Sequence, residues 1–170
     1  MGTYYIKQKI FSLRDHYYVY DKHEQAAFEV TGKFIAIADQ LTIRDLNQNE
    51  LFTVKQKLMT VWGAYDIYKG DILCATIKRR PSLFKPKLDI ESEYGNFQLR
   101  GDVFDHNFSI TKDGQEVGHI EKKWFKLSDH YELQVATGQD DAFFIAMLIA
   151  IDNCLHNNCL LYTSDAADDH

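Results

Sequence analysis

Proline is nearly missing from this chain, with two in 170 residues. Together with a 45% hydrophobic content, that excludes extensive disorder. Cysteine is scarce too. Cys74, Cys154 and Cys159 form no Cys-x-x-Cys pair, and an odd, unpatterned set suits reduced thiols in a reducing compartment. There is no excess of basic charge: 19 Lys and Arg face 25 Asp and Glu, a net charge of −6, so no global basic footprint points to nucleic acid. No apolar run approaches the ~20 residues of a membrane-crossing helix. The start, MGTYYIKQKI, lacks the basic and then apolar regions of a secretory signal. Ile6 stands where a myristoylation pattern wants Ser or Thr. Asn107-Phe-Ser109 matches a glycosylation sequon, which an intracellular chain ignores. The expected location is cytoplasmic, at most peripheral to the membrane.

What the chain does have is aromatic residues, 10 Tyr and 11 Phe, and short alternating runs. Phe97, Leu99, Gly101 and Val103 alternate with Gln98, Arg100 and Asp102; Leu88, Ile90, Ser92 and Tyr94 alternate with Asp89, Glu91 and Glu93. Period 2 places one set of side chains on each face of a sheet. Leu73, Ala75 and Ile77 alternate with Ile72, Cys74 and Thr76, the pattern of a strand partly covered on both faces. Asn47-Gln-Asn49, Lys69-Gly-Asp71, Tyr94-Gly-Asn96 and Lys112-Asp-Gly114 supply the turn residues that tolerate positive φ. About twelve strands joined by short connections predict an antiparallel meander. Val117 and Ile120 fall on opposite phases, which predicts a β-bulge at Gly118.

So many strands need their edges managed, and closure into a barrel does this. A barrel that wide has an interior to fill. Ala142-Phe-Phe-Ile-Ala-Met-Leu-Ile-Ala-Ile151 is apolar on every side, as a fully buried helix must be. The expectation is a mainly β, closed antiparallel barrel around a helix at about 140–156, with Asp140 or Asp141 as its cap. Phe143, Phe144, Met147, Leu148 and Ile151 are its core residues. The single domain spans 1–157. Residues 158–170 read as a non-native or disordered tail, since CLLYTSDAADDH resembles translated vector sequence. Removing its Asp165, Asp168 and Asp169 lowers the acidic count from 25 to 22 and changes the net charge from −6 to −3.

Gly118-His-Ile-Glu-Lys-Lys-Trp-Phe-Lys-Leu-Ser-Asp-His-Tyr131, the apolar helix and Ala150-Ile-Asp-Asn-Cys-Leu-His156 resemble the LURP-one-related family, including its bacterial YxjI-like members. Lys78-Arg-Arg80, Lys87-Leu-Asp-Ile90 and Leu99-Arg-Gly-Asp102 fit its middle strands, and the resemblance covers roughly 3–157. It implies a twelve-stranded barrel around a central hydrophobic helix, a fold shared with the tubby C-terminal domain and the phospholipid scramblases. Those relatives imply association with phosphoinositides or membrane lipid, although fold kinship alone does not carry function.

Lys78, Arg79, Arg80, Lys85 and Lys87 crowd ten residues around Leu83 and Phe84. Such a loop suits an anionic lipid surface, where each cation is worth ~1 kcal/mol, and arginine grips phosphate bidentately. Lys122 and Lys123, with Lys55, Lys57 and Lys126, extend the patch if they share its rim. The plainer reading is solvated strand ends, with Leu83 and Phe84 tucked into a barrel mouth. No histidine pair has zinc-ligand spacing, so neither metal nor cofactor is expected. His119, His130 and Asp129 could meet at the Trp124 hairpin, and Asp102, Asp105 and Asp129 could pose as paired carboxylates; turn chemistry explains both equally well. Tyr17, Tyr18 and Tyr20 suit either ligand stacking or sheet packing. No nucleophile elbow, P-loop or Rossmann glycine pattern occurs. The expectation is a non-enzymatic binding or scaffold barrel, monomeric, recognising anionic headgroups, phosphorylated ligands or a protein partner. The alternative is a barrel enzyme or a lipid-transfer, scramblase-like protein with an interior or rim ligand.

Overall fold

The computed structural model describes the chain except residues 8–15, 36–37, 59, 61, 81–82, 84–86, 125–128 and 169–170, with no side-chain description for 7, 34–35, 38–39, 124, 129 and 156–168. The strands are β1 (Gly2–Lys7), β2 (His16–Asp21), β3 (Ala26–Ile35), β4 (Ala38–Arg44), β5 (Glu50–Gln56), β6 (Ala64–Lys69), β7 (Ile72–Arg80), β8 (Lys87–Ser92), β9 (Phe97–Asp102), β10 (Asn107–Lys112), β11 (Gln115–Trp124) and β12 (Asp129–Val135). They form one sheet in the order β8-β7-β6-β5-β4-β3-β2-β1-β12-β11-β10-β9. Every pairing is antiparallel, including β1 with β12, where Gly2 faces Val135 and Lys7 faces His130. The ends of the ladder, β8 and β9, lie side by side, with strand Cα atoms within 8 Å. The barrel is therefore nearly closed, with one seam.

The predicted bulge is present. Ile110 faces Gly118 but Thr111 faces Glu116, which leaves Val117 as the extra residue. Gly118 has a packing reason as well: a Cβ there would lie 2.8 Å from the Phe144 ring.

All odd-numbered strands run one way and all even-numbered strands the other. One end of the barrel thus carries the turns that follow β2, β4, β6, β8 and β10. The other end, the rim, carries the connections β1–β2, β3–β4, β5–β6, β7–β8, β9–β10 and β11–β12. The helix α1 (Asp141–Asp168) starts at the turn end. Asp140 caps it, its carboxylate accepting from the Phe143 N–H at 3.2 Å. Asp141 accepts from the Tyr4 hydroxyl, and burial first, then that bond, raises the Tyr4 phenol well above its usual range. From Ala142 to Leu155 the helix is buried throughout. It fills the lumen against Val19, Val30, Ile43, Ile67, Ile77, Ile110, Ile120 and Leu133, each 0% exposed. Beyond the expected end near 156 the backbone stays helical to Asp168; neither glycine nor proline occurs there to break it.

A polar pair interrupts this apolar interior, beside Asn153, whose side-chain amide donates to the Ile149 carbonyl at 2.9 Å. His106, in the β9–β10 connection, meets Asp152 of the helix at 2.7 Å, with side chains 6% and 0% exposed. The His106 ring stacks on Tyr131 with centroids 4.4 Å apart. His106 adopts φ +56°, a backbone region that histidine tolerates better than most residues. The helix is thus tied at its start by Tyr4–Asp141 at the turns and further along by His106–Asp152 at the rim.

A basic cleft at the rim

Pairing of β7 with β8 sets Lys78 opposite Asp89, Arg79 opposite Leu88 and Arg80 opposite Lys87. The β5–β6 connection folds onto the same place. The Lys57 N–H donates to the Ala64 carbonyl at 2.9 Å and the Arg79 N–H to the Gly63 carbonyl at 3.1 Å. These bonds bring Lys57, Thr60, Trp62, Lys78 and Arg79 around one cleft of about 350 Å³. Trp62 is 42% exposed. Lys78 pairs with Glu91 at 3.0 Å and Arg80 with Asp89 at 2.8 Å; both pairs are well exposed and worth little to stability.

Lys57, which the sequence offers as an extension of the patch, joins Lys78 and Arg79. Trp62 does not stand out in the sequence, because a lone Trp in a connection carries no periodic signal. Arg80 and Lys87 line a second cleft, in the seam. Lys122 and Lys123 lie near the same rim, but four strands away through the seam, and Lys123 pairs with Glu121 at 3.2 Å. Lys55 sits over the Tyr68 ring at 4.8 Å. Lys85, Phe84 and Lys126 lie outside the described residues. Leu83 is 94% exposed, so it is not tucked into the barrel mouth.

The weaker constellations separate. His130 faces Lys123 while His119 faces Gln134, and His119 contacts Ser109 at 3.1 Å. Asp102 accepts from the Asp105 N–H at 3.1 Å, as a turn carboxylate does. Tyr17 is buried in the core, and Tyr18 and Tyr20 are half-exposed neighbours with ring centroids 6.5 Å apart. The Cys74 thiol contacts the Tyr94 hydroxyl at 3.3 Å; this contact and burial push the Tyr94 phenol up to about 12. Burial pushes the Cys154 thiol up to about 12, which leaves it without thiolate character at neutral pH. Among the described residues no group of three or more His, Cys, Asp and Glu side chains could hold a metal, and no helix is long and apolar enough to cross a membrane.

Comparison with known proteins agrees with this architecture. The chain is similar to the uncharacterized protein YxjI of Bacillus subtilis strain 168, 33% identical over 155 residues, which is 91% of this chain and 94% of that protein. Its fold is similar to that of an Arabidopsis thaliana protein solved by X-ray crystallography, with a TM-score of 0.66 at 16% identity, over 89% of this chain and 90% of that one. The family model for LURP-one-related proteins matches residues 3–152. The chain belongs to the LURP-one-related family.

Proposed function

We propose that this barrel is a non-enzymatic binding module that docks its rim on an anionic membrane surface. The observation that carries the reading is the convergence of Lys57, Lys78 and Arg79 around half-exposed Trp62 in one cleft. A tryptophan beside cations suits a membrane interface, with its ring at headgroup level and the cations on phosphate. Leu58 and Leu83 are exposed in the two rim connections that flank β6 and β7, where they could enter the outer edge of the lipid. The interior supports the same reading. The buried helix residues occupy the lumen where a substrate for an enzyme or a transfer protein would otherwise lie. On this reading the protein is peripheral to the membrane and cytoplasmic.

Vesicle sedimentation at about 0.15 M ionic strength tests the proposal. The chain is expected to pellet with phosphatidylserine-containing vesicles and to remain in the supernatant with phosphatidylcholine alone. Replacing Lys57 and Lys78 by Ala removes two cations worth ~1 kcal/mol each, so partitioning should fall roughly 30-fold. Equal pelleting with both vesicle types would overturn the reading.

A further inference from the structure

The seam between β8 and β9 is built into the fold. These strands follow one another through a four-residue connection, Glu93 to Asn96, yet are not paired. The connection is bound to its neighbours instead. The Glu93 N–H donates to the Cys74 carbonyl at 3.0 Å, and the Asn96 carbonyl accepts from the Asp113 N–H at 3.0 Å. Tyr94 packs edge-on against Phe143 of the helix at 4.9 Å. So β8 is held to β7 and β9 to β10, and the gap between them persists.

This gap is where the apolar interior reaches the surface. Ile90 faces Ile77 and Leu99 faces Ile110 across their ladders, so both point inward with those fully buried partners. Leu88 lies two residues from Ile90 and shares its face. Yet Leu88, Ile90, Leu99 and Val103 are only partly buried, whereas Ile77 and Ile110, the ladder partners of Ile90 and Leu99, are 0% exposed. The next inward place on β9, opposite Phe108, is Gly101. It supplies no side chain. Its φ is +113° and a Cβ there would lie 2.9 Å from the Asn107 carbonyl oxygen, so only glycine fits. A cleft of about 350 Å³ results, within the size range of small-ligand sites. Leu88, Leu99 and Val103 line it, with Arg80 and Lys87 at its rim end. Lys87 has no ion-pair partner among the described residues. Arg80 uses its Nε on Asp89. The one carboxylate among the described lining residues, Asp102, already accepts from the Asp105 N–H.

We propose that the seam holds the alkyl chain of a single-chain anionic amphiphile, with its carboxylate or phosphate on Arg80 and Lys87. An apolar slot with a cationic mouth matches both halves of such a molecule. An inserted peptide strand fits less well. Pairing on both sides along their length would need β8 and β9 roughly 9.5 Å apart, twice the strand spacing, whereas the four-residue connection 93–96 joins their ends and some strand Cα atoms lie within 8 Å. The proposal deepens the membrane reading by naming a chain site beside the headgroup cleft, but its test needs no membrane.

The test uses the full chain and a fluorescent dodecanoate probe below its micelle concentration, displaced by unlabelled dodecanoate, dodecyl phosphate or dodecyltrimethylammonium. One saturable site is expected, with the two anions displacing the probe and the cation failing to do so. Arg80→Ala with Lys87→Ala should weaken binding at least about tenfold, the loss of charged contacts. Leu88→Trp should fill the slot and abolish binding while the protein still melts cooperatively. Should Leu88→Trp misfold, Val103→Trp replaces it. No saturable binding, or binding unchanged in the paired alanine variant, overturns the proposal. So does β8–β9 amide protection in hydrogen exchange by an extended peptide that the amphiphiles cannot displace. Vesicle binding without probe binding would refute the seam and leave the headgroup cleft; probe binding without vesicle binding would do the reverse.

Discussion

The two ends of the barrel are built from the same strands, but their charges do different work. At the turn end, Asp21 accepts from the His23 and Gln25 N–H groups at 2.8 and 3.1 Å. Asp45 accepts from the Asn47 and Asn49 N–H groups, both at 2.9 Å. The bond from Gln25 first, and those from Asn49 first, hold these carboxyls below their ordinary range. Glu24, Asp71, Glu93, Asp113 and Asp140 sit at the same end. At the rim, Lys57, Lys78, Arg79, Arg80 and Lys87 do no comparable local work, since a turn uses acceptors and a cationic side chain has none. Asp21 and Asp45 are thus consumed in making hairpins, whereas the rim cations Lys78 and Arg80 make only exposed pairs, with Glu91 and Asp89.

The helix spans both ends, so breaking it should erase the comparison altogether. Leu148→Asp places an unpaired charge where the side chain is 0% exposed. The cost is several kcal/mol, and the variant is expected in inclusion bodies or without a cooperative thermal transition. A soluble, cooperatively melting Leu148→Asp protein would show that the helix does not depend on the lumen.

Next in size is the rim anchor. His106→Asn keeps a residue that tolerates positive φ and removes the ring from Asp152. Stability should fall by about 3 kcal/mol in equilibrium urea unfolding, because a buried carboxylate loses a principal partner. A loss within experimental error would mean that the helix is held from the turn end alone.

The smallest effect sharpens the electrostatic contrast. Asp21 and Asp45 have lowered values in the folded state, so their contribution is present above their unfolded value and lost as the pH falls through the lower folded one. With an ordinary value of 3.8, the urea midpoint should drop below that pH. Asp45→Asn should lower the midpoint at neutral pH and flatten that drop. A midpoint equally acid-sensitive in wild type and Asp45→Asn would remove the turn carboxylates as its cause.

Much of the fold is legible in the sequence because its signals are local. Alternation marks the strands around Leu88–Ile90 and Phe97–Val103, the run at 142–151 marks the plug, and the phase slip beside Gly118 marks the bulge. The site is legible only in part. Lys78, Arg79, Arg80 and Lys87 are close in sequence and stand out together. Trp62 does not, because it reaches them only through the fold of the 57–64 connection onto β7. The His106–Asp152 pair is invisible for a similar reason, as its partners lie 46 residues apart and share no spacing rule. The seam is hidden because the β8 and β9 segments alternate like any paired hairpin.

The sequence by itself determined the number of strands, their faces and the burial of the helix, because periodicity and hydropathy act over a few residues at a time. Tertiary structure decided which hairpin stays unpaired, which charges gather at one rim and which polar groups meet inside. Those outcomes depend on ring closure, where the position of each strand is fixed by all the others and by the volume of the helix within them.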